Sequence, residues 1–456
     1  MFKKITILSL LAVFLLTSGF GCQTNNTTVA AVTKPITLTY WRVFDGPDAF
    51  DDIITKYKAL HPYITIEYRK LRYSEYESEL LNAMAEDRGP DIFSIQNTWM
   101  NKYQTKLAPM PDSITMIYPV TQGTIQKTVV YQPQTTKSLT LKQLKDNFVD
   151  VVSSDVILSD GKIYGLPLSV DTLAMYYNKD LLNNAGISQI PAYWNKEFLQ
   201  DVKKLTKQDT KKAITQSGAA LGGSKNINRF SDILSVLMMQ SGAIMSDADK
   251  ILFNTAPNPS ANYYPGADAL RFYADFADQT KESYSWNDTL PNSLDMFMSG
   301  NLAIMFSYDY DLATIKAQAP KLNFSIAPLP QIEGNPPTNI NFANYWVEVV
   351  SKKSPNTDAA WDFVQFITKE EQAKIYLAKT NRPTALRSLV DAQKQDNELG
   401  VFANQVLTAK SWYHGKNEQA AEDAIAEMID SVLKTSTDKI QEIVNTAAAK
   451  VQQTVN

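Results

Sequence analysis

Carboxylates and aromatic rings, rather than thiols or imidazoles, are the reactive or recognising side chains this chain holds in quantity. It has 48 Asp and Glu, 22 Tyr, 19 Phe and 7 Trp against 2 His and 1 Cys. Imidazole chemistry needs a His placed beside a second ligand or a nucleophile. His61 precedes Pro62 in a turn between a helical and a strand pattern, and His414 lies in a distant loop, so neither sits in a metal-ligand pair. Asp247-Ala248-Asp249-Lys250 lacks the full oxygen-ligand series of a calcium loop and reads as a hairpin turn. GxSxG, the P-loop and GxGxxG are absent. No metal or cofactor is therefore expected. Plentiful carboxylates leave a glycosidase pair open, which would need two of them roughly 5–10 Å apart in a cleft.

The elements that would position such groups are legible by period. Ile36, Leu38 and Tyr40 alternate as a strand, Gly46-Pro47 starts a helix, and Phe50, Ile53, Ile54, Tyr57 and Leu60 fall on one helical face. Ile64, Ile66 and Tyr68 form the next strand. Ser74 with Glu77 predicts a capping box ahead of a helix bearing Tyr76, Leu80, Ala83 and Met84. After Gly89-Pro90-Asp91, IFSI is a third strand. This order is that of an α/β lobe with a mostly parallel sheet. Ligands bind beyond the carboxyl ends of such strands, which places Trp41 to Asp45 and Gln96 to Trp99 near a cleft. Pro109 to Thr140, rich in Pro, Thr and Gln, reads as an irregular elaboration of this lobe.

Further on, Asp160-Gly161 is a tight turn, Pro167 argues against a regular central strand, LAMYY has buried-strand length, and Gly186 ends a short helix. A buried strand before Tyr308, Asp309 and Tyr310 brings them out at its end. Asn341 to Val350 is a second extended passage. Thr368 and Glu371 are expected to cap a helix, Trp194 and Trp361 to be core, and Trp286 to be exposed. A long amphipathic helix closes the chain.

The 456 residues suffice for two domains, and a net charge of −4 without a clustered basic patch argues against nucleic acid. Lys3 and Lys4 precede the apolar run Ile5 to Leu16, too short for the about 20 residues of a membrane span and of signal-peptide length. Cys22 follows directly, with Gly19 where a lipoprotein box has Leu. Residues 1–21 are read as a signal peptide, Cys22 as a lipid acceptor, and 22–34, rich in Asn, Thr and Ala, as a tether. A simple secreted form is the alternative. One cysteine permits no intramolecular disulfide.

DGKIYGLP with YYNKDLLNNAGI, within Asp160 to Ile187, resembles the signature of the family 1 extracellular solute-binding proteins, the maltose-binding type of receptor for ATP-binding-cassette importers. HPYITIEY, GPDIFSI, AYWNKEF, LDMFMSGNLAIMF, NFSIAPLP and NRPT are similar to further segments of that family. The resemblance implies a periplasmic-binding-protein-like α/β fold, with two lobes joined by crossover strands around a cleft. Lobe 1 is then 35–169 and 347–400, and lobe 2 is 170–346 and 401–456. It implies an extracytoplasmic monomer that binds a sugar or oligosaccharide, delivers it to permease subunits and catalyses nothing. A polyol, glycerol phosphate or peptide is the alternative ligand. By resemblance Asp45, Asp171 and Tyr310 are ligand-binding. Topology adds Trp41, Phe44, Asn97, Trp99, Tyr308, Tyr345, Trp346 and Trp412. A pyranose offers a C–H face to such rings and hydroxyls to carboxylates and amides. Few cations accompany these residues, which disfavours a phosphate.

Overall fold

Two apolar cores organise the chain, each built on a five-stranded sheet. The structure, a computed structural model, describes residues 34–124, 127–258, 263–334, 339–435 and 439–455. The signal segment and Cys22 lie outside the described residues, as does the tether up to residue 33. No helix among the described residues is long and apolar enough to cross a membrane.

The first sheet runs Ile64–Leu71, Ile36–Val43, Ile92–Gln96, Trp346–Val350, Gly165–Pro167. Its first three strands are parallel, and Trp346–Val350 is antiparallel to Ile92–Gln96. The alternation read in Ile36–Val43 buries Leu38 and Tyr40 completely. Pro167 is accommodated because its strand is at the sheet edge, where one side of the backbone needs no ladder partner. Glu348 is buried inside the sheet and accepts from Tyr40 Oη and Ser94 Oγ, each at 2.7 Å. Helix Thr357–Ile367 covers the sheet with Trp361, Phe363, Val364 and Ile367, all buried.

The second sheet runs Phe324–Ala327, Ala174–Asn178, Leu302–Ser307, Ile214–Ala219, Lys207–Gln208. Leu302–Ser307 is buried throughout, antiparallel to Ala174–Asn178 and parallel to Ile214–Ala219. Between the cores lies a small sheet of crossings, Ala409–Lys410, Asn341–Asn344 and Asp171–Thr172. The hairpin read at Asp247 to Lys250 is present, Ser246–Asp247 pairing with Lys250–Ile251.

Several local expectations are corrected. The Pro109 to Thr140 stretch is not irregular: Ser113–Gln122 and Thr128–Lys137 form a long antiparallel ribbon, from Ser113 opposite Lys137 to Gln122 opposite Thr128. No side chain caps helix Tyr73–Ala85, because Glu77 accepts from Lys102 and from Tyr103 Oη instead. Thr368 turns its hydroxyl back to the Val364 carbonyl, so helix Glu370–Thr380 starts without a side-chain cap. Trp286 is fully buried and donates to Asn226 Oδ1 at 2.8 Å, a partner its local sequence pattern did not reveal.

Candidate ligand-binding site

Strand Ile36–Val43 stops at Phe44, whose φ is +65°. The next residue, Asp45, is buried and clamped. Its Oδ1 accepts from Arg382 Nη2 at 3.1 Å and Nε at 3.3 Å. Its Oδ2 accepts from Tyr376 Oη at 2.9 Å and faces Arg42 Nη2 at 3.1 Å. Burial alone pushes this carboxyl up, but Arg42 and Arg382 reverse the effect and hold it below the ordinary carboxylate range.

Beside the clamp, a cavity of about 250 Å³ opens between the lobes, just below the roughly 300–1,000 Å³ usual for ligand sites. Phe44, Tyr73 and Trp346 line it from the first lobe and Tyr310 from the second. Phe44 stacks on Tyr73 with centroids 5.7 Å apart, and its ring meets Trp346 edge-on at 5.8 Å. Tyr310 stacks on buried Tyr308 at 5.7 Å. Asp171, Ser169, Asn344, Gln96, Arg42, Arg229 and Arg382 supply the polar lining.

Asp171 and Asp309 form an acid pair at the first crossing. Asp171 Oδ1 accepts from the backbone N–H groups of Thr172 at 2.8 Å and Asp309 at 3.2 Å. Asp171 Oδ2 and Asp309 Oδ1 are buried and meet no partner among the described residues. Burial, then the neighbouring Asp309, pushes the Asp171 carboxyl well up; burial pushes Asp309 up to about 7, against the pull of Arg382. Asp171 lines the cavity, and its buried Oδ2 is an acceptor, or a donor when protonated, that the protein itself leaves unpaired.

Of the expected site residues, Phe44, Asp45, Asp171, Tyr310, Tyr345 and Trp346 line this cavity. Tyr345 sends its hydroxyl away from it, to Asp155 Oδ2 at 2.6 Å. The other five do not line it. The Trp41 ring packs under the Arg69 guanidinium at 4.6 Å. Asn97 is buried against Asp155 at 2.9 Å, and Trp99 donates to Glu418 Oε2 at 2.7 Å. Tyr308 donates to Asp232 Oδ2 at 2.6 Å, and Trp412 is held in the second core by Ser235 Oγ at 3.0 Å. Trp99 and Tyr308 still act from behind, their rings backing Trp346 and Tyr310.

Sequence reasoning missed Arg42, Tyr73, Arg229, Tyr376 and Arg382. Arg382 was readable only as part of the NRPT turn, in which Asn381 takes the left-handed conformation at φ +51°. The expectation of few cations is overturned, since three arginines line the cavity. Each is matched by a carboxylate: Arg42 by Asp45 and Glu348, Arg382 by Asp45, Arg229 by Asp232.

A pair of α/β lobes, strand crossings between them and a ring-lined cavity at the crossings define a two-lobed solute-binding fold. The chain belongs to the bacterial extracellular solute-binding protein family, whose pattern it matches over residues 45–374. It is similar to a Brucella abortus binding protein, 24% identical over 347 residues that span 74% of this chain and 72% of the relative. It is also similar to the maltodextrin-binding protein of Bacillus subtilis, 25% identical over 280 residues that span 59% of this chain and 58% of that one. The fold matches that of the cyclic α-maltosyl-1,6-maltose binding protein from Arthrobacter globiformis with a TM-score of 0.71 at 20% identity, over 92% of this chain and 100% of the other.

Proposed function

We propose that this chain is the receptor of an ATP-binding-cassette importer that captures a neutral sugar or short oligosaccharide between its lobes and hands it to permease subunits. The observation that carries the reading is the convergence, in one cavity, of exposed rings from both lobes with an unpaired Asp171 oxygen. Aromatic faces suit the C–H face of a pyranose, and the unpaired Asp171 oxygen, an acceptor or, when protonated, a donor, suits its hydroxyls. The internal pairing of the three arginines favours a ligand without charge. Maltodextrin binding, carried in the name of the Bacillus subtilis relative, agrees with this class.

Within this reading the ligand is gripped by Trp346, Phe44, Tyr310, Asp171 and Arg382, and the lobes close on it by rotation about the crossing strands. The lobes divide at 35–169 with 347–400 and at 170–346 with 401–456, a division supported by the two separate cores except at the crossings, where Trp346 opens a strand of the first sheet and Val170, Ala343, Tyr345, Val406 and Ala409 pack in the first core. The receptor works as a monomer outside the cytoplasm, held to the membrane by a lipid on Cys22, and performs no covalent chemistry.

A thermal-shift screen of Lys34 to Asn456 against mono- and oligosaccharides, polyols and phosphates tests the assignment. A sugar should raise the melting temperature with concentration and be recovered intact. Trp346→Ala and Asp171→Ala should each abolish the shift. Slow loss of the sugar would make the chain a hydrolase, and shifts only with phosphates or polyols would replace the ligand class.

A further inference from the structure

The turn that ends strand Ile36–Val43 is unusual in chemistry and in cost. The Asp45 N–H donates to the Val43 carbonyl at 2.8 Å, and the single residue between them, Phe44, has φ +65°. This is a γ-turn of the positive-φ kind, rare because an L side chain crowds its own backbone there. Glycine is the residue that relieves such a turn. Gly46 stands two places on, in an extended conformation at φ −78° and ψ 170° that any residue adopts. The chain thus spends its bulky ring on the strained position.

Burial does not explain the choice. Phe44 is 47% exposed, and the Tyr73 ring it stacks on is 56% exposed. Tyr310, lining the same cavity from the other lobe, is 43% exposed. A strained backbone that holds an aromatic ring in solvent at the mouth of a cavity points to function rather than packing. The residue after the strain is in turn immobilised from every side. Both Asp45 oxygens are taken by Arg382, Tyr376 and Arg42, and its backbone carbonyl accepts from Tyr68 Oη at 2.7 Å. The Asp45 carboxylate therefore has no strong acceptor site left for a ligand hydroxyl.

We infer that the γ-turn presents Phe44 as the stacking platform of the first lobe, opposing Tyr310, for a ring with an apolar face, and that Asp45 is a positioning residue that locks the turn rather than a ligand contact. This deepens, and rests on, the sugar-receptor reading.

Four proteins test it: wild type, Phe44→Gly, Asp45→Asn and the double variant, each measured for melting temperature without ligand and for affinity by titration calorimetry with the sugar from the screen. Phe44→Gly should melt at or above wild type, because the strain is released, while binding on the order of tenfold more weakly, as expected for loss of one aromatic stacking contact. Phe44→Trp should restore affinity. Asp45→Asn should weaken binding, and in the Phe44→Gly background it should weaken it no further, since its effect passes through the ring. A lower melting temperature for Phe44→Gly would assign Phe44 to packing. Unchanged affinity in Phe44→Gly, with binding still lost in Trp346→Ala, would reject the platform while sparing the receptor reading. Additive losses in the double variant would make Asp45 a direct contact. If wild type binds no sugar the sugar-receptor reading fails, whereas the ligand-free melting comparison still decides whether the turn is strained.

Discussion

His414 Nε2 lies 2.9 Å from Asp155 Oδ1, joining a loop packed on the second core to a helix of the first. Asp155 is buried and also accepts from Asn97, Tyr345 and Ser411. Burial pulls the His414 imidazole down, but the bond to Asp155 and that carboxylate's charge outweigh it, so its pKa is raised. A histidine with a raised folded value contributes stability that is fully present below its unfolded value of about 6.5 and is lost as pH rises through the folded value. Urea midpoints of wild type and His414→Gln, measured from pH 5 to pH 9, should therefore differ most at the acid end and converge at the alkaline end. A gap independent of pH would mean that the ring only packs.

Asp309 is raised as well, but by burial rather than by a partner's charge. Burial lifts its carboxyl to about 7, so the folded protein prefers it protonated. Its contribution is favourable below the unfolded value of about 3.9 and is lost as pH rises through about 7. Asp309→Asn keeps the backbone N–H that Asp171 accepts from and removes the charge. At pH 8 the variant should melt higher than wild type by ~2–4 °C or more, and at pH 4 the two should coincide. A variant that melts lower at pH 8 would show that the charged form is stabilised by groups other than Arg382.

Glu418 opens helix Glu418–Val432 and reaches across to the first lobe, where it accepts from Thr98 Oγ1 at 2.8 Å and Trp99 Nε1 at 2.7 Å. A carboxylate at a helix N-terminus is already favoured by the helix dipole. Glu418→Ala strands the buried Trp99 N–H, which costs about 1–3 kcal/mol, whereas Glu418→Gln keeps an acceptor and should cost less. Trp99 also meets Trp346 edge-on at 5.7 Å, so Glu418→Ala should weaken ligand binding as well as lower the urea midpoint. A stability loss with affinity intact would uncouple Trp99 from the cavity wall.

What could be read from the sequence divides along the range of the interactions involved. The first lobe's strands and helices follow from local period, as with Leu38 and Tyr40. The passage through Asp171 was legible because turn, edge proline and buried strand occur in one short run. Candidate residues reach the cavity where they stand at the edge of an element and face outward, as Phe44, Tyr310 and Trp346 do. They were misplaced where a remote partner draws them inward: Trp99 by Glu418, 319 positions away, Trp412 by Ser235, 177 away, and Tyr308 by Asp232, 76 away. Arg382 was missed for the same reason, since Asp45, 337 positions distant, defines its role. The failed cap at Ser74 is likewise nonlocal, because Lys102 and Tyr103 claim Glu77.

The ribbon escaped reading because Pro119 and Pro133 lie within its strands, and proline ordinarily argues against a strand. A two-stranded ribbon removes that objection, since each strand has one unpaired side. Its base is part of the first core through Ile114 and Met116, with Ile117 N–H held by Tyr63 Oη at 3.1 Å. Toward the tip it leaves the core, and Val129 is 59% exposed. Val120 and Val130 face each other, so a two-residue Asn-Gly loop in place of Thr121 to Val129 closes the shortened hairpin in the turn type its twist prefers. The trimmed protein should melt within about 3 °C of wild type and bind the same sugar with unchanged affinity. Loss of transport in cells with binding intact would assign the tip to contact with the permease. Loss of binding itself would mean that the tip supports the cavity from outside the core.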